Sequence, residues 1–308
     1  MSVPLSYRLL SHLPLPIAHG LGVLLGWLLW LIPNKPRDLT RLHIARCFPE
    51  MPPSAQLRLA RRTLREAGKA LAEGPVLWTG PERRVFKLVK EVRGQALVDD
   101  ALTTGKGLIT AAPHLGAWEM AGLACSRIAP MTSLYKPQKG HWDALIKQGR
   151  QRFGANLVPS DNSGVKQLLK ALKRGEIIGI LPDQDPPPGA GEFAPFFNIQ
   201  AHSPVLLSRL ARRTGATVLT MFAERLSWGR GYILHFQPVS SDVVAENEIT
   251  AVSAVNAAVE EAVRQLPQQY WWAYPRYRRR PADETAWGGD FYNGLVKNDS
   301  ENSQIDRD

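Results

Sequence analysis

The sequence has little cysteine and lacks the short motifs of nucleotide, thiol and hydrolase chemistry. Its 308 residues include two cysteines, Cys47 and Cys125, which lie in unrelated contexts without metal-ligand spacing. Isolated cysteines of this kind are typical of free thiols in a reducing compartment. A glycine-rich phosphate loop, a nucleophile elbow and a catalytic cysteine signature are all absent from the sequence. We therefore expect neither a bound metal nor a cofactor.

Acidic residues are also scarce relative to basic ones. The chain has 28 Asp and Glu against 38 Lys and Arg, which gives a formal net charge of +10 and a pI near 9.8. This balance indicates an acidic partner, such as an anionic membrane surface, an acidic protein or substrate, or nucleic acid. No zinc-finger, helix-turn-helix or RNA-binding pattern accompanies the arginine clusters, so nucleic acid is the weakest of these choices.

Charge is missing altogether from residues 13–32, which only Pro14, Pro16 and His19 interrupt. As a helix this segment would be ~30 Å long, close to the hydrocarbon thickness of a bilayer. No small-residue cleavage site follows it, so a signal peptide is disfavoured. A transmembrane anchor, an interfacial helix and an apolar hairpin packed on the domain stay open. The basic residues that follow favour a cytoplasmic position for the rest of the chain.

The remaining sequence predicts one α/β domain. Residues 38–78 have helical periodicity, with a second helix starting near residues 52–54, and a short strand follows at 90–92. Beyond residue 105, strands alternate with helices, which predicts a mixed, largely parallel central sheet with helices on both faces. We therefore divide the chain into a membrane-associated segment (1–36), an α/β domain (37–285) and a flexible polar tail (286–308). The strands are predicted at 108–112, 132–135, 156–158, 177–181, 217–222 and 232–238, and the helices at 118–128, 141–153, 163–174, 203–214 and 247–266.

The stretch from residue 107 to 122 carries the first candidate for chemistry. An apolar strand ends at Pro113, His114 follows, and Glu119 falls in the first turn of a predicted helix. On one continuous helix, residues five apart would point about 140° away from each other. The break at Pro113 and Gly116 would let the two side chains face each other. A histidine oriented by a carboxylate is the arrangement of a general base, whereas a surface histidine beside a helix-starting acid is the alternative.

A second candidate follows the strand predicted at 177–181. Asp183, Gln184 and Asp185 lie in a proline-stiffened loop, where polar groups can be held in place. Two carboxylates without a histidine at ligand spacing are a poor metal site.

Basic and aromatic groups provide further candidates. Tyr135 and Lys136 end a predicted strand, although a solvated lysine is the simpler interpretation. Arg150 and Arg152 close a helix, where they could bind its last carbonyls or direct a cation at the site. The aromatic stretch 267–278 could stack on nucleic acid, lie at membrane headgroups or form a core strand.

Together these segments resemble the bacterial lipid A biosynthesis acyltransferases of the lauroyl and myristoyl type. The stretch from His114 to Glu119 is similar to the His-X4-acid motif of glycerolipid-type acyltransferases, in its form with Glu. The resemblance covers about residues 5 to 282. The other matching stretches, in family order, are 46–50, 135–137, 170–175, 183–185, 195–197 and 267–272. Asn198 departs from the family, which usually has glycine after the two phenylalanines.

The resemblance implies an inner-membrane enzyme whose active site faces the cytoplasm. It would transfer a fatty acyl group from acyl carrier protein to a hydroxyl of a lipid A precursor, an anionic glycolipid. His114 would act as the general base and Glu119 would orient it, with Arg150 or Arg152 as candidate oxyanion donors. Tyr135, Lys136, Asp183 and Gln184 would be substrate-binding candidates.

Two alternatives remain open beside this interpretation. The acceptor could be a lysophospholipid or another glycolipid, with the chemistry unchanged. The chain could also be a non-catalytic lipid-binding protein that keeps the same fold.

Overall fold

Seven of the nine strands in the described residues form one central sheet. The computed structural model describes residues 11–137, 142–282 and 291–292. The strand order is β1-β9-β8-β2-β5-β3-β4, and β6 and β7 form a separate antiparallel hairpin. Every neighbouring pair in the large sheet is parallel except β8 with β9. The strands are β1 (Val89–Arg93), β2 (Leu108–Ala111), β3 (Met131–Tyr135), β4 (Asn156–Pro159), β5 (Ile177–Ile180), β6 (Gly191–Phe196), β7 (Ile199–Pro204), β8 (Thr217–Arg225) and β9 (Tyr232–Pro238).

Helices cover this sheet, and the longest of them joins it to the N-terminal segment. The described α-helices are α1 (Leu15–Leu31), α2 (Lys35–Cys47), α3 (Pro53–Thr79), α4 (Glu82–Phe86), α5 (Gln95–Thr103), α6 (Trp118–Ile128), α7 (Trp142–Gln151), α8 (Asn162–Lys173), α9 (Leu206–Thr214) and α10 (Glu248–Gln265).

The predicted fold class is confirmed. Every strand and helix predicted beyond residue 105 is present, because the central strands are short apolar runs and the helices have helical periodicity. All residues of β2 and β5 are buried, as expected for parallel strands covered on both faces. Helix α5 and the β6–β7 hairpin were not predicted. The hairpin turns at Phe197 and Asn198, with φ of 52° and 58°, and asparagine tolerates this left-handed region where the family usually has glycine.

Helix α1 packs on α3 through a contact made by glycines. A Cβ atom added to Gly22 would lie 2.5 Å from the Cα of Lys69, and Gly26 and Gly68 face equally close backbone. The two helix backbones therefore touch at a point that only glycine permits. The uncharged segment 13–32 is thus one helix seated on the domain rather than a hairpin.

The outer face of α1 is apolar and exposed. No single helix in the described ranges has the length and hydropathy of a membrane span, whereas α1 and α2 meet both requirements together across a bend of 83°. An exposed apolar stripe of this size is typical of an interaction surface. Its residues are Ile17, Leu21, Leu24, Leu25, Leu28, Leu31 and Ile32.

A buried ion network joins α3 to β8. Arg225 donates two hydrogen bonds to Glu73, at 2.6 and 2.9 Å, and Tyr232 and His19 also contact this carboxylate. Burial by itself would raise the pKa of Glu73, but the charge and hydrogen bonds of Arg225 outweigh it and lower the pKa to about 2. Arg225 also donates to the carbonyl of Gly116 at 3.1 Å, which ties the network to the segment after His114.

Aromatic residues near the end of the described chain pack into the core. Tyr270, Trp272 and Tyr277 are buried, so three of the five aromatic residues of the 267–278 stretch lie in the core rather than on a nucleic-acid or headgroup surface. Phe291 and Tyr292 are also buried, although they fall in the tail expected to be flexible. The other tail residues, 286–290 and 293–308, lie outside the described residues.

Both cysteines are free and buried, which agrees with the interpretation as isolated thiols. Burial raises the pKa of each thiol to about 12, so neither is activated as a nucleophile.

Candidate active site

The site lies where β2 and β5 end. These strands are parallel neighbours, with Ala111 opposite Ile180, and the pairing continues through a hydrogen bond from Ala112 N to Ile180 O of 2.8 Å. The segments that follow them therefore emerge side by side at the carboxyl edge of the sheet. His114 follows β2, and Asp183 follows β5.

Asp183 holds His114 through two hydrogen bonds. Its Oδ1 lies 2.9 Å from the imidazole Nδ1, and its Oδ2 accepts the backbone N–H of His114 at 2.8 Å. The Asp183 side chain is 3% exposed and that of His114 is 18% exposed. The carboxylate is thus sealed in the protein while the imidazole reaches the surface.

The state of Asp183 decides the tautomer of His114. Burial by itself would raise the pKa of Asp183, but the charge of His114 and its two hydrogen bonds outweigh it, so the pKa falls below its ordinary value. An ionised carboxylate only accepts hydrogen bonds, so Nδ1 carries a proton. In the neutral imidazole, Nε2 is then the basic nitrogen, and the Gln184 amide lies 3.3 Å from it.

The turn after His114 keeps this residue out of α6. Gly116 has φ of 63°, and a Cβ atom at this position would collide with the carbonyl of Ala223. The carbonyl of His114 accepts the N–H of Trp271 at 3.0 Å, and Gly116 N donates to Gln269 O at 3.0 Å. The residues before Trp118 therefore form a strand-like link to the 267–278 stretch, and the imidazole projects from a fixed backbone.

Glu119 is bound by other groups and is not the hydrogen-bond partner of His114. Arg150 donates to its two oxygens at 2.9 and 2.5 Å, and the indole of Trp78 donates at 2.9 Å. Burial would raise the pKa of Glu119, but Arg150 and Trp78 outweigh it and lower the pKa. The role of Glu119 as orienter of His114 stays a prediction, and in this structure the hydrogen bonds to the imidazole Nδ1 and to the backbone N–H of His114 come from Asp183 instead.

Arg150 stands beside Glu119 with a third of its side chain exposed. Its guanidinium lies 5.6 Å from the ring centre of Tyr135, whose hydroxyl donates to Asp143 at 2.6 Å. Burial and Asp143 raise the pKa of Tyr135 to about 12, so its hydroxyl stays protonated at neutral pH. Lys136 follows Tyr135 at the surface.

Arg152 is separated from these groups. It donates to the carbonyls of Leu77 and Gly80 at the end of α3, at 3.3 and 2.6 Å. These hydrogen bonds cap the last carbonyls of the helix. They give no support to the expected role of Arg152 as an oxyanion donor.

Asp185 belongs to a structural cluster two residues beyond Asp183. It pairs with the His202 imidazole at 2.7 Å and with Arg278, and its backbone N–H donates to the hydroxyl of Tyr274 at 3.0 Å. Within residues 11–137, 142–282 and 291–292, no three His, Cys, Asp or Glu side chains form a group that could hold a metal ion.

An apolar cavity of about 90 Å³ begins beside these groups. Trp118, whose ring lies 5.5 Å from that of His114, forms part of its wall together with Glu119 and Arg150. The rest of the lining is mostly apolar and comes from the ends of the central strands and the segments beside them: Ala112, Gly122, Met131, Ser133, Leu134, Ala155, Leu157, Gly179, Leu181 and Met221.

His114 and Asp183, both candidates from the sequence, are in contact in the structure, whereas the sequence analysis paired His114 with Glu119. The signal for the His114–Asp183 pair was present, because both residues follow apolar strands of a sheet expected to be parallel. The contact depends on β2 and β5 being neighbours, and strand order is not readable from one sequence. Trp78 gave no signal, since it lies on α3, 41 residues before the carboxylate it binds.

A histidine held by a buried carboxylate at the carboxyl edge of a parallel sheet, next to an apolar cavity, is the geometry that a general base needs. Residues 5–279 match the family model for bacterial lipid A biosynthesis acyltransferases, and the chain belongs to this family. It is therefore an acyltransferase.

Several characterised relatives share this family. The chain is 27% identical over 275 residues to the lipid A biosynthesis lauroyltransferase of Escherichia coli K12, with 89% of each chain covered. It is 27% identical over 279 residues to the palmitoleoyltransferase of the same organism, again with 89% of each covered. The E. coli myristoyltransferase is 24% identical, over 79% of this chain and 75% of the relative. Their names differ in the acyl group, so similarity at this level does not specify a chain length.

Proposed function

We propose that this enzyme transfers a fatty acyl group from an acyl thioester on acyl carrier protein to a hydroxyl of a lipid A precursor. The observation that carries the proposal is the His114–Asp183 pair, which leaves the imidazole Nε2 as a base at the protein surface. Membership of the lipid A acyltransferase family supports the acceptor.

In the proposed reaction, His114 Nε2 removes the hydroxyl proton as the acceptor oxygen attacks the thioester carbon. Collapse of the tetrahedral intermediate forms the ester and breaks the C–S bond, and the imidazolium returns its proton to the departing sulfur. General-base assistance of this kind typically contributes about 10²–10⁴ in rate. A thioester is already activated, so this route needs no acyl-enzyme.

The two carboxylates have separate roles in this proposal. Asp183 fixes the tautomer of His114 and stabilises the imidazolium, as a carboxylate does in hydrolase triads. Glu119 holds Arg150, whose partly exposed guanidinium is the candidate to stabilise the oxyanion or an anionic group of the acceptor. Glu119 thus supports catalysis through Arg150. Tyr135, Lys136 and Gln184 remain substrate-binding candidates.

We assign the acyl chain to the apolar cavity beside Trp118. The cavity borders the His114 ring through Trp118 and continues between the ends of the central strands. Its volume of about 90 Å³ accommodates only part of a long acyl chain, so binding would require the wall to move or the chain to continue outside it.

Charge and apolar surface support the partners and the location. The net charge of +10 suits an acidic carrier protein, an anionic glycolipid and anionic lipids. The exposed stripe of α1 suits a membrane surface. We therefore place the enzyme at the bacterial inner membrane with its catalytic domain towards the cytoplasm.

The test uses purified full-length enzyme, acyl carrier protein loaded with different acyl chains, and a tetra-acylated lipid A precursor, with products identified by mass spectrometry. One added acyl group on the precursor is the expected result. Acylation of a lysophospholipid under the same conditions, with the precursor unchanged, would instead support the alternative acceptor. Unchanged lipid A in a deletion strain would also contradict the proposal.

A further inference from the structure

A second cavity, of about 730 Å³, lies between α1, α3 and the turn that joins β8 to β9. It is separate from the apolar cavity beside His114 and shares no lining residue with it. The turn follows the carboxyl end of β8, so this cavity opens near the edge of the sheet that carries the active site.

The lining of this cavity is strongly basic. Arg62, Arg65, Lys69 and Arg225 contribute cations, and Glu66 is the one carboxylate among its lining residues. Glu66 already pairs with Lys69 and Arg225, at 2.5 and 3.1 Å. Arg62 and Arg65 therefore give the cavity an excess of positive charge, which favours an anion such as a phosphate.

A buried polar atom at the cavity lacks a partner. His19 lines the cavity and is 3% exposed, and its Nε2 contacts Glu73 at 3.0 Å. Its Nδ1 atom has no hydrogen-bond partner in the described part of the chain. Glu73 accepts the hydrogen bond of Nε2–H, which leaves Nδ1 as an unsatisfied polar atom in the wall of the cavity.

The surroundings of the cavity are apolar and include an exposed tryptophan. Pro16, His19 and Gly20 line it from α1, and they alternate with residues of the exposed apolar stripe on that helix. Trp228, also in the lining, is 88% exposed and has φ of 63°, an unusual conformation for a bulky residue. Exposed tryptophan is typical of the headgroup layer of a bilayer.

From these observations we infer that the cavity binds the headgroup of an anionic phospholipid of the bilayer. Arg62 and Arg65 bind the phosphate, and the acyl chains lie along the apolar stripe of α1. Arg225 connects this site to the catalytic segment through Gly116, so a bound lipid would fix the active site relative to the membrane.

Binding of full-length enzyme to phosphatidylcholine vesicles, with and without phosphatidylglycerol, tests the inference without any acyl transfer. R62Q/R65Q should lose about tenfold or more of its affinity for phosphatidylglycerol vesicles and keep its affinity for neutral ones. The matched control K166Q/K173Q removes two exposed cations from α8, whose C-terminus lies at the amino edge of the sheet, and should change little.

A variant that fills the cavity separates headgroup binding from diffuse attraction. A Cβ atom at Gly20 would meet no atom within 4 Å, so Gly20→Phe places a ring in the cavity without changing charge, and Gly20→Ala is its control. Loss of the phosphatidylglycerol preference in Gly20→Phe alone is the expected result. If Gly20→Phe keeps that preference, the attraction is diffuse and the inference is overturned.

Calorimetric titration of the enzyme with inorganic phosphate is the second experiment. Saturable binding of phosphate without any phosphatidylglycerol preference would make this a site for a soluble anion and would also overturn the inference.

Discussion

Asp183 is buried and Glu119 is partly buried near the same edge of the sheet, yet the two carboxylates bind different partners. Asp183 holds the imidazole of His114, whereas Glu119 holds the guanidinium of Arg150. Both have a lowered pKa despite burial, because each is paired with a cation or a hydrogen-bond donor. The difference shows that a His-X4-acid spacing does not determine which of these residues contact each other.

The two carboxylates have different partners because they lie on different elements of the fold. Glu119 lies in the first turn of α6, after the turn at Gly116. Its carboxylate therefore faces α3 and α7, which carry Trp78 and Arg150. Asp183 arrives from the neighbouring strand and meets His114 across the sheet edge. Substitutions that affect one pair and spare the other would test this division.

The largest effect should follow loss of the base. His114→Ala should lower kcat/KM by about 10²–10⁴ while the protein stays folded, since the ring is partly exposed and carries no core packing. The steady-state rate with acyl carrier protein thioester and circular dichroism of the same sample measure both effects. His12→Ala, an exposed histidine on the N-terminal segment, is the control and should stay active. Full activity in folded His114→Ala would contradict the assignment of His114 as the general base.

Asp183→Asn should come next, with a loss of about 10² in kcat or more, because the amide no longer fixes the tautomer or stabilises the imidazolium. KM should change far less than kcat. Glu224→Gln alters the His235 pair on β8 and β9, at 3.0 Å, and serves as a control for carboxylate loss beside a histidine. If Asp183→Asn matched wild type while Glu119→Gln lost all activity, the assignment of orienter would return to Glu119.

Glu119→Gln and Arg150→Gln should give a smaller loss of activity, similar in both variants because each removes the same pair. The stability cost should be about 1–2 kcal/mol, reduced from the value for a buried charged pair because Arg150 is a third exposed. A double-mutant cycle in kcat/KM and in urea unfolding measures the coupling. Fully additive effects would show that the two side chains act independently.

Lowering the pH should protonate the paired carboxylates and reduce the stability of the fold. A group with a depressed folded-state pKa stabilises the protein above its ordinary pKa and loses that contribution as pH falls through the folded value. Asp183, Glu119 and Glu73 all follow this sign, and for Glu73 the window runs from about 4.5 down to about 2. Urea unfolding between pH 7 and 3 should show stability falling with acid, and Asp183→Asn should flatten this slope. An unchanged slope in that variant would contradict the lowered pKa of Asp183.

The smallest effect is expected at Arg152. Arg152→Ala removes two hydrogen bonds to the end of α3 and should cost about 1 kcal/mol of stability, with kcat unchanged. Thermal unfolding and the steady-state rate together measure this. A large fall in kcat at full stability would restore Arg152 as an oxyanion donor.

Local sequence patterns were sufficient for most of the fold. Helix α3 starts at Pro53 as the proline signal predicts, and the short apolar runs 108–112 and 177–181 became the buried strands β2 and β5. Helix α5 and the β6–β7 hairpin were missed, the hairpin because its turn uses Phe197 and Asn198 instead of a glycine signal. Residue propensity and hydrophobic periodicity act within a single helix or strand. They therefore predict the helices and strands, and from their order the fold class.

The sequence by itself determined that the chain is a basic α/β protein with an uncharged N-terminal segment and a histidine that follows a strand. Only the tertiary structure decided which carboxylate holds that histidine and that the Trp78 indole binds Glu119. It also decided that α1 packs on α3 through Gly22 and Gly26. These contacts join residues 41 to 69 positions apart, or whole helices. They depend on strand order and helix packing, which arise from the burial of the entire core and not from any single stretch of residues.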